Sequence, residues 1–245
     1  MSQRHAVVTG ASSGIGAATA RRLADEGFHV FCAARRADRV EALAQEIGGT
    51  AVQCDITKDE DVARLAEAVG PRLDVLVNNA GGAFGQEPVA EADLGAWSKM
   101  FDVNVIGTGR VTKSLLPALV AGEGVAVFVT STAAEATYEG AAGYCGAKYA
   151  ERAVAEALRL EIVHLPVRIC EVSPGMVYTD EFSLVRYEGD EQRAKSVYEG
   201  VAEPLVAEDV ADAITYAATR PSHVNIDRII MRPRAQATQF KVHRE

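Results

Sequence analysis

The chain has 245 residues, 48% hydrophobic and 24% charged, enough to bury one sizeable core without disulfides or metals. Its 34 acidic residues outnumber 25 basic ones for a formal charge of −9, which argues against a general nucleic-acid or anionic-membrane binder. Cys32, Cys54, Cys145 and Cys170 lie far apart with no CxxC pair, and the five histidines lack ligand spacing, so neither a disulfide framework nor a metal site is expected.

The opening residues Met1-Ser2-Gln3-Arg4-His5 run straight into an apolar segment too short for a signal peptide. No apolar run approaches the ~18 residues of a membrane span, so a soluble, cytoplasmic protein is expected. Short Val/Ala/Ile-rich runs at 6–9, 30–33, 51–54, 75–77, 125–130 and 167–172 read as buried parallel strands. Between them, apolar residues three and four apart predict helices over 16–26, 37–47, 60–69, 99–120 and 147–164. After Pro174 the pattern breaks into a charged stretch, about 177–200, placed to cover a site, before a helix at 207–219 and a strand at 226–231. The polar, basic tail after Pro233 reads as a solvated terminus. Repeated strand–helix–strand units imply right-handed crossovers, hence one α/β domain over 1–245: a doubly wound parallel sheet of about seven strands with helices on both faces.

Where the first strand turns into the first helix, the chain reads Thr9-Gly10-Ala11-Ser12-Ser13-Gly14-Ile15-Gly16. Gly10 permits a tight turn, Gly14 a close approach to a pyrophosphate and Gly16 close helix packing, while the helix N-terminus offers N–H groups and positive potential. About twenty residues on, where a site selective for NAD carries an acidic residue for the ribose 2′-OH, stand Ala34, Arg35 and Arg36. A guanidinium binds a 2′-phosphate with paired, charge-assisted hydrogen bonds, so NADP is expected over NAD, with Ser13 as a further donor. Asp55 and the run Asn78-Asn79-Ala80-Gly81 follow the third and fourth strands, at the rim where open α/β sheets bind ligands.

Tyr144 and Lys148 stand four residues apart on one helical face. A free phenol titrates near ~10, and a neighbouring ammonium favours the phenolate, so Lys148 can tune Tyr144 as an acid/base. Ser131, after the fifth strand, is placed to hydrogen-bond a carbonyl oxygen. Asn104 is a poor helix former inside a long helical pattern, able to hold a water or to perturb the helix.

Taken together, the glycine run 9–16, Asn78-Asn-Ala-Gly81, Asn104, Ser131, Tyr144-Cys-Gly-Ala-Lys148 and Pro174-Gly175 resemble, in order and spacing, the short-chain dehydrogenase/reductase family over nearly the whole chain. The resemblance implies a Rossmann-type fold. It further implies that Ser131 orients a carbonyl, Tyr144 exchanges the proton, Lys148 binds the nicotinamide ribose and tunes the tyrosine, and Asn104 supports a water relay. The implied NADP(H) contacts include Gly10, Ser12, Ser13, Gly14, Ile15, Gly16, Arg35, Arg36, Asp55, Ile56, Asn79, Ala80, Gly81, Tyr144 and Lys148, with Pro174, Gly175, Val177 and Thr179 beyond the sixth strand.

The stretch from Thr179 to Tyr187 resembles the corresponding segment of the family's NADP-dependent 3-hydroxy acid and serine dehydrogenases. Arg186 would then meet a substrate carboxylate beside Ser131 and Tyr144, or else simply pair with Glu181, Glu188 or Asp190 on the surface. The expected reaction interconverts a carbonyl and an alcohol on a small molecule, with a ketoreductase of larger natural-product or lipid-like carbonyls and a non-catalytic NADP-binding regulator as alternatives. The family also implies a homo-oligomer, a tetramer or dimer.

Overall fold

The computed structural model describes residues 3–245; Met1 and Ser2, which open the run expected to be too short for a signal peptide, lie outside the described residues. Seven strands, β1 (Arg4–Thr9), β2 (Phe28–Ala34), β3 (Thr50–Gln53), β4 (Val75–Asn78), β5 (Val125–Val129), β6 (Arg168–Pro174) and β7 (Arg228–Met231), form one sheet in the order β3-β2-β1-β4-β5-β6-β7. Every pairing is parallel, because helical crossovers return the chain between strands. Ala6 and Val8 of β1 face a core shared with Leu23, Val210 and Ile214, and Val7 faces another shared with Leu65, Leu115 and Leu119. Burial on both faces is why these strands read as continuous apolar runs. The doubly wound α/β fold expected from the sequence is the one observed.

The helices are α1 (Gly14–Asp25), α2 (Ala37–Ile47), α3 (Asp59–Val69), α4 (Leu94–Phe101), α5 (Thr108–Gly122), α6 (Ala142–Glu161), α7 (Phe182–Arg186), α8 (Glu191–Ser196) and α9 (Ala207–Ala218). Strand order reverses between β1 and β4, which opens a crevice at their carboxyl ends. Thr9 ties the two sides of that crevice together. Its Oγ1 donates to the Val77 carbonyl at 3.2 Å and accepts from the N–H groups of Asn79 and Ala80, both at 3.0 Å.

Two expectations need correction. The single helix expected over 99–120 is divided by a π-helical segment, Asp102–Gly107, between α4 and α5. Asn104 Nδ2 donates to the Met100 carbonyl at 2.8 Å, supplying a side-chain partner to an acceptor the wider turn leaves available. The sixth strand is buried as expected, and it carries one carboxylate within its apolar run. Glu171 is buried in it, accepting from Thr130 Oγ1 at 2.7 Å, Ser173 Oγ at 3.0 Å and Arg228 Nε at 2.6 Å. Second, the tail is not a solvated terminus. Gln236 is buried, its Oε1 accepting from Met176 N–H at 2.8 Å, and the Glu245 N–H reaches the Gly200 carbonyl at 2.8 Å. The polar tail folds back because the loop after β6 offers backbone partners to it.

The four cysteines are buried free thiols. Among the described residues no helix is long and apolar enough to cross a membrane.

Candidate active site

Gly10 turns the chain out of β1 with φ +67°, a conformation that disfavours any side chain. A Cβ on Gly16 would lie 2.3 Å from the Gly10 carbonyl oxygen, so α1 seats directly on that turn. Ser13 is the N-cap of α1, yet its hydroxyl caps no backbone N–H. It accepts instead from Arg36 Nη2 at 2.9 Å, and Ser12 Oγ accepts from the same nitrogen at 2.8 Å. The first turn of α1 therefore keeps N–H groups for an anion.

Arg36, just past β2, also holds a carboxylate. Glu181, from the segment before α7, accepts from Arg36 Nη1 at 2.9 Å and from Arg39. Burial works to raise the Glu181 carboxyl, but hydrogen bonds from Ser13, Arg39 and Arg36 outweigh it and hold the group below the ordinary carboxylate value. An anion thus sits where the sequence places a ribose 2′-phosphate, and the donors around it fit that group. Arg35 is exposed on the rim of the same cleft. Asp55 Oδ1 accepts from the backbone and hydroxyl of Thr57 at 3.0 and 2.8 Å, which fixes the loop that carries Ile56.

At the other end, Ser131 leaves β5 and its Oγ accepts from the Ala133 N–H at 3.1 Å, which leaves its own O–H available as a donor. Helix α6 begins at Ala142, earlier than the 147 expected, and so places Tyr144 in its first turn and Lys148 one turn further. Lys148 Nζ donates to the Val129 carbonyl at 3.1 Å and to Glu151 Oε2 at 2.7 Å, and both side chains of this ion pair are buried. Burial opposes the Lys148 ammonium, but the charge of Glu151 overrides it and holds the amine above the ordinary lysine value. Burial pushes the Glu151 carboxyl up to about 7 against the pull of Lys148.

Arg186 lies in the same place. It is 8% exposed, with Nη1 donating to Tyr138 Oη at 3.1 Å, Nε to the Gly85 carbonyl at 3.2 Å, and its guanidinium carbon 5.7 Å from the centre of the Tyr144 ring. The surface pairing with Glu181, Glu188 or Asp190 is not what forms, since no carboxylate among the described residues bonds Arg186 and Glu181 turns to Arg36. Its buried Nη2 has no hydrogen-bond partner among the described residues. The Phe182 ring meets Tyr144 edge-on at 6.0 Å between centroids.

Apart from Asn78 and Asn104, the residues singled out from the sequence for cofactor, catalysis or substrate line one cleft of about 1360 Å³. Asn78 is buried beneath it, its Nδ2 donating to Thr112 Oγ1 at 2.9 Å. Asn104 is fully buried behind it, its amide donating to the Gly82 carbonyl at 2.9 Å and accepting from the Gly82 N–H at 3.2 Å. In this structure it fixes the loop after Asn79-Ala80-Gly81. Sequence reasoning missed Tyr138, Phe182, Glu151 and the Arg39–Glu181 contact. Glu151, one turn past Lys148, was findable from helical spacing; the others depend on loops that meet only in the fold.

A family model described as short chain dehydrogenase matches residues 4–188. An uncharacterized oxidoreductase of Mycobacterium tuberculosis is 59% identical over 237 residues, which is 96% of this chain and 93% of that protein. Serine 3-dehydrogenase of Agrobacterium fabrum is 40% identical over 246 residues, covering 98% of each chain. A solved structure of serine dehydrogenase, in a closed form complexed with NADP+, superposes with a TM-score of 0.92 at 33% identity over 98% of this chain and 100% of that one.

Proposed function

The chain belongs to the short-chain dehydrogenase/reductase family, and from that premise we propose that it is an NADP(H)-dependent oxidoreductase that interconverts the carbonyl and alcohol forms of a small anionic substrate, of the 3-hydroxy acid or serine type. One observation carries the substrate class: the buried Arg186, with an unpartnered Nη2, stands beside Tyr144 in the cleft. A buried guanidinium with a free donor is costly unless a ligand supplies the acceptor, and a carboxylate does so with charge. The Arg36, Ser12 and Ser13 cluster at the far end supports NADP(H) over NAD(H).

In the reductive direction Ser131 donates its O–H to the carbonyl oxygen and holds it toward Tyr144. Tyr144 gives its proton to that oxygen, and the Lys148 ammonium stabilises the phenolate left behind. When bound, reduced nicotinamide supplies the hydride to the carbonyl carbon. Arg186 fixes the substrate's charged end, so that only one face and one carbon meet the reacting groups. Asn104 shapes the cleft wall through Gly82.

The reading extends to a cytoplasmic homo-oligomer. Tyr149 and Leu160, 41% and 79% exposed, lie about three turns apart on one face of α6, with Val163 just beyond at 81% exposure.

The test is a panel of small hydroxy acids with NADP+, and of the matching keto acids and aldehydes with NADPH, monitored by nicotinamide absorbance. Turnover is expected with anionic substrates and weak turnover with neutral ones of equal size. Activity confined to bulky neutral ketones would sink the substrate class while leaving the family assignment standing.

A further inference from the structure

We propose that Glu181 is a tethered anion that competes with the cofactor's 2′-phosphate for Arg36, and that it thereby sets how strongly the protein prefers NADP(H) to NAD(H). The residue is 145 positions from Arg36 in sequence, yet its carboxylate takes the donors that a 2′-phosphate needs. Arg36 Nη1 lies 2.9 Å from one oxygen and 2.8 Å from the other, and Arg39 and Ser13 bond the same group. The guanidinium is fixed by the hydroxyls of Ser12 and Ser13, so it cannot swing away to serve a second anion while keeping those bonds. A carboxylate and a phosphate at one cluster of donors repel each other. NADP(H) must therefore displace Glu181 to reach Arg36, whereas NAD(H), with a neutral 2′-OH, need not.

Glu181 is succeeded at once by Phe182, whose ring covers Tyr144, and by α7, which carries Arg186. That segment is anchored separately, by Arg186 on Tyr138 and the Gly85 carbonyl, so the exchange of anions at Arg36 concerns the Glu181 side chain alone.

The inference rests on the NADP(H) reading of the site, so binding rather than turnover is measured. Equilibrium affinities for NADPH, NADH and adenosine 2′,5′-bisphosphate are compared between the parent and Glu181→Gln, with Glu181→Ala as a second variant that lacks any acceptor. Both variants are expected to bind NADPH and the bisphosphate about tenfold tighter, and NADH within about twofold of the parent. Unchanged or weaker NADPH binding in both variants overturns the proposal, as does an equal gain for NADH, which would mark a general charge effect. A parent that binds NADPH no better than NADH overturns the cofactor reading, and the proposal with it.

Discussion

Lys148 and Glu151 form an ion pair of 2.7 Å sealed inside the protein, one helical turn from Tyr144. The carboxyl of Glu151 is raised to about 7 from an ordinary value of 4.5, so the folded chain binds its proton more tightly than the unfolded one. Its contribution to stability is therefore fully present below about 4.5 and is lost as the pH rises through about 7. Glu151→Gln, which cannot ionise, should flatten this fall in a series of denaturant midpoints across that window. Parent and variant curves of the same shape would show that the carboxyl is not raised.

Tyr144→Phe should bind NADPH like the parent and lose turnover by ~10²-fold or more, because the ring stays and only the proton donor goes. Steady-state rates and cofactor titration on the same preparation separate the two effects. Parental rates in this variant would remove Tyr144 from the chemistry.

Arg186→Ala should raise KM for anionic substrates by about 10- to 100-fold, the worth of a hydrogen bond to a charged group, and should affect a neutral carbonyl far less. An equal loss for both would mean that Arg186 acts by supporting Tyr138, to which it donates at 3.1 Å.

On the proposed placement of the 2′-phosphate beside Arg36, Arg36→Ala should weaken NADPH by about tenfold or more and leave NADH within about twofold. Isothermal titration with both cofactors decides it; equal weakening would place Arg36 on a phosphate common to both.

How much of the site is legible in the sequence depends on sequence distance. Gly10 and Gly16 stand six residues apart, and Tyr144 and Lys148 four, so turn sterics and helical period expose them directly. The parallel sheet was legible because strands buried on both faces have a plain apolar signature. Glu171 escaped because one carboxylate in an apolar run is silent until Thr130, Ser173 and Arg228 gather around it from other positions. Glu181 looked like surface charge because nothing local reveals Arg36 beyond the cleft. The tail looked solvated because backbone partners at the end of β6 leave no mark in side-chain pattern.

The widened turn at 102–107 has a bearing on evolution of the chain. Each residue added to or removed from a helix rotates all later positions of that helix by about 100°. Met100 of α4 and Leu115 of α5 are both buried on either side of that turn, so its width sets the phase between two inward-facing stripes. Losing one residue there would swing one of the two apolar stripes into water and pull Asn104 off Gly82. Replacing a side chain on its outer side, such as Ile106 at 54% exposure, leaves that phase intact, whereas an insertion or deletion would change it.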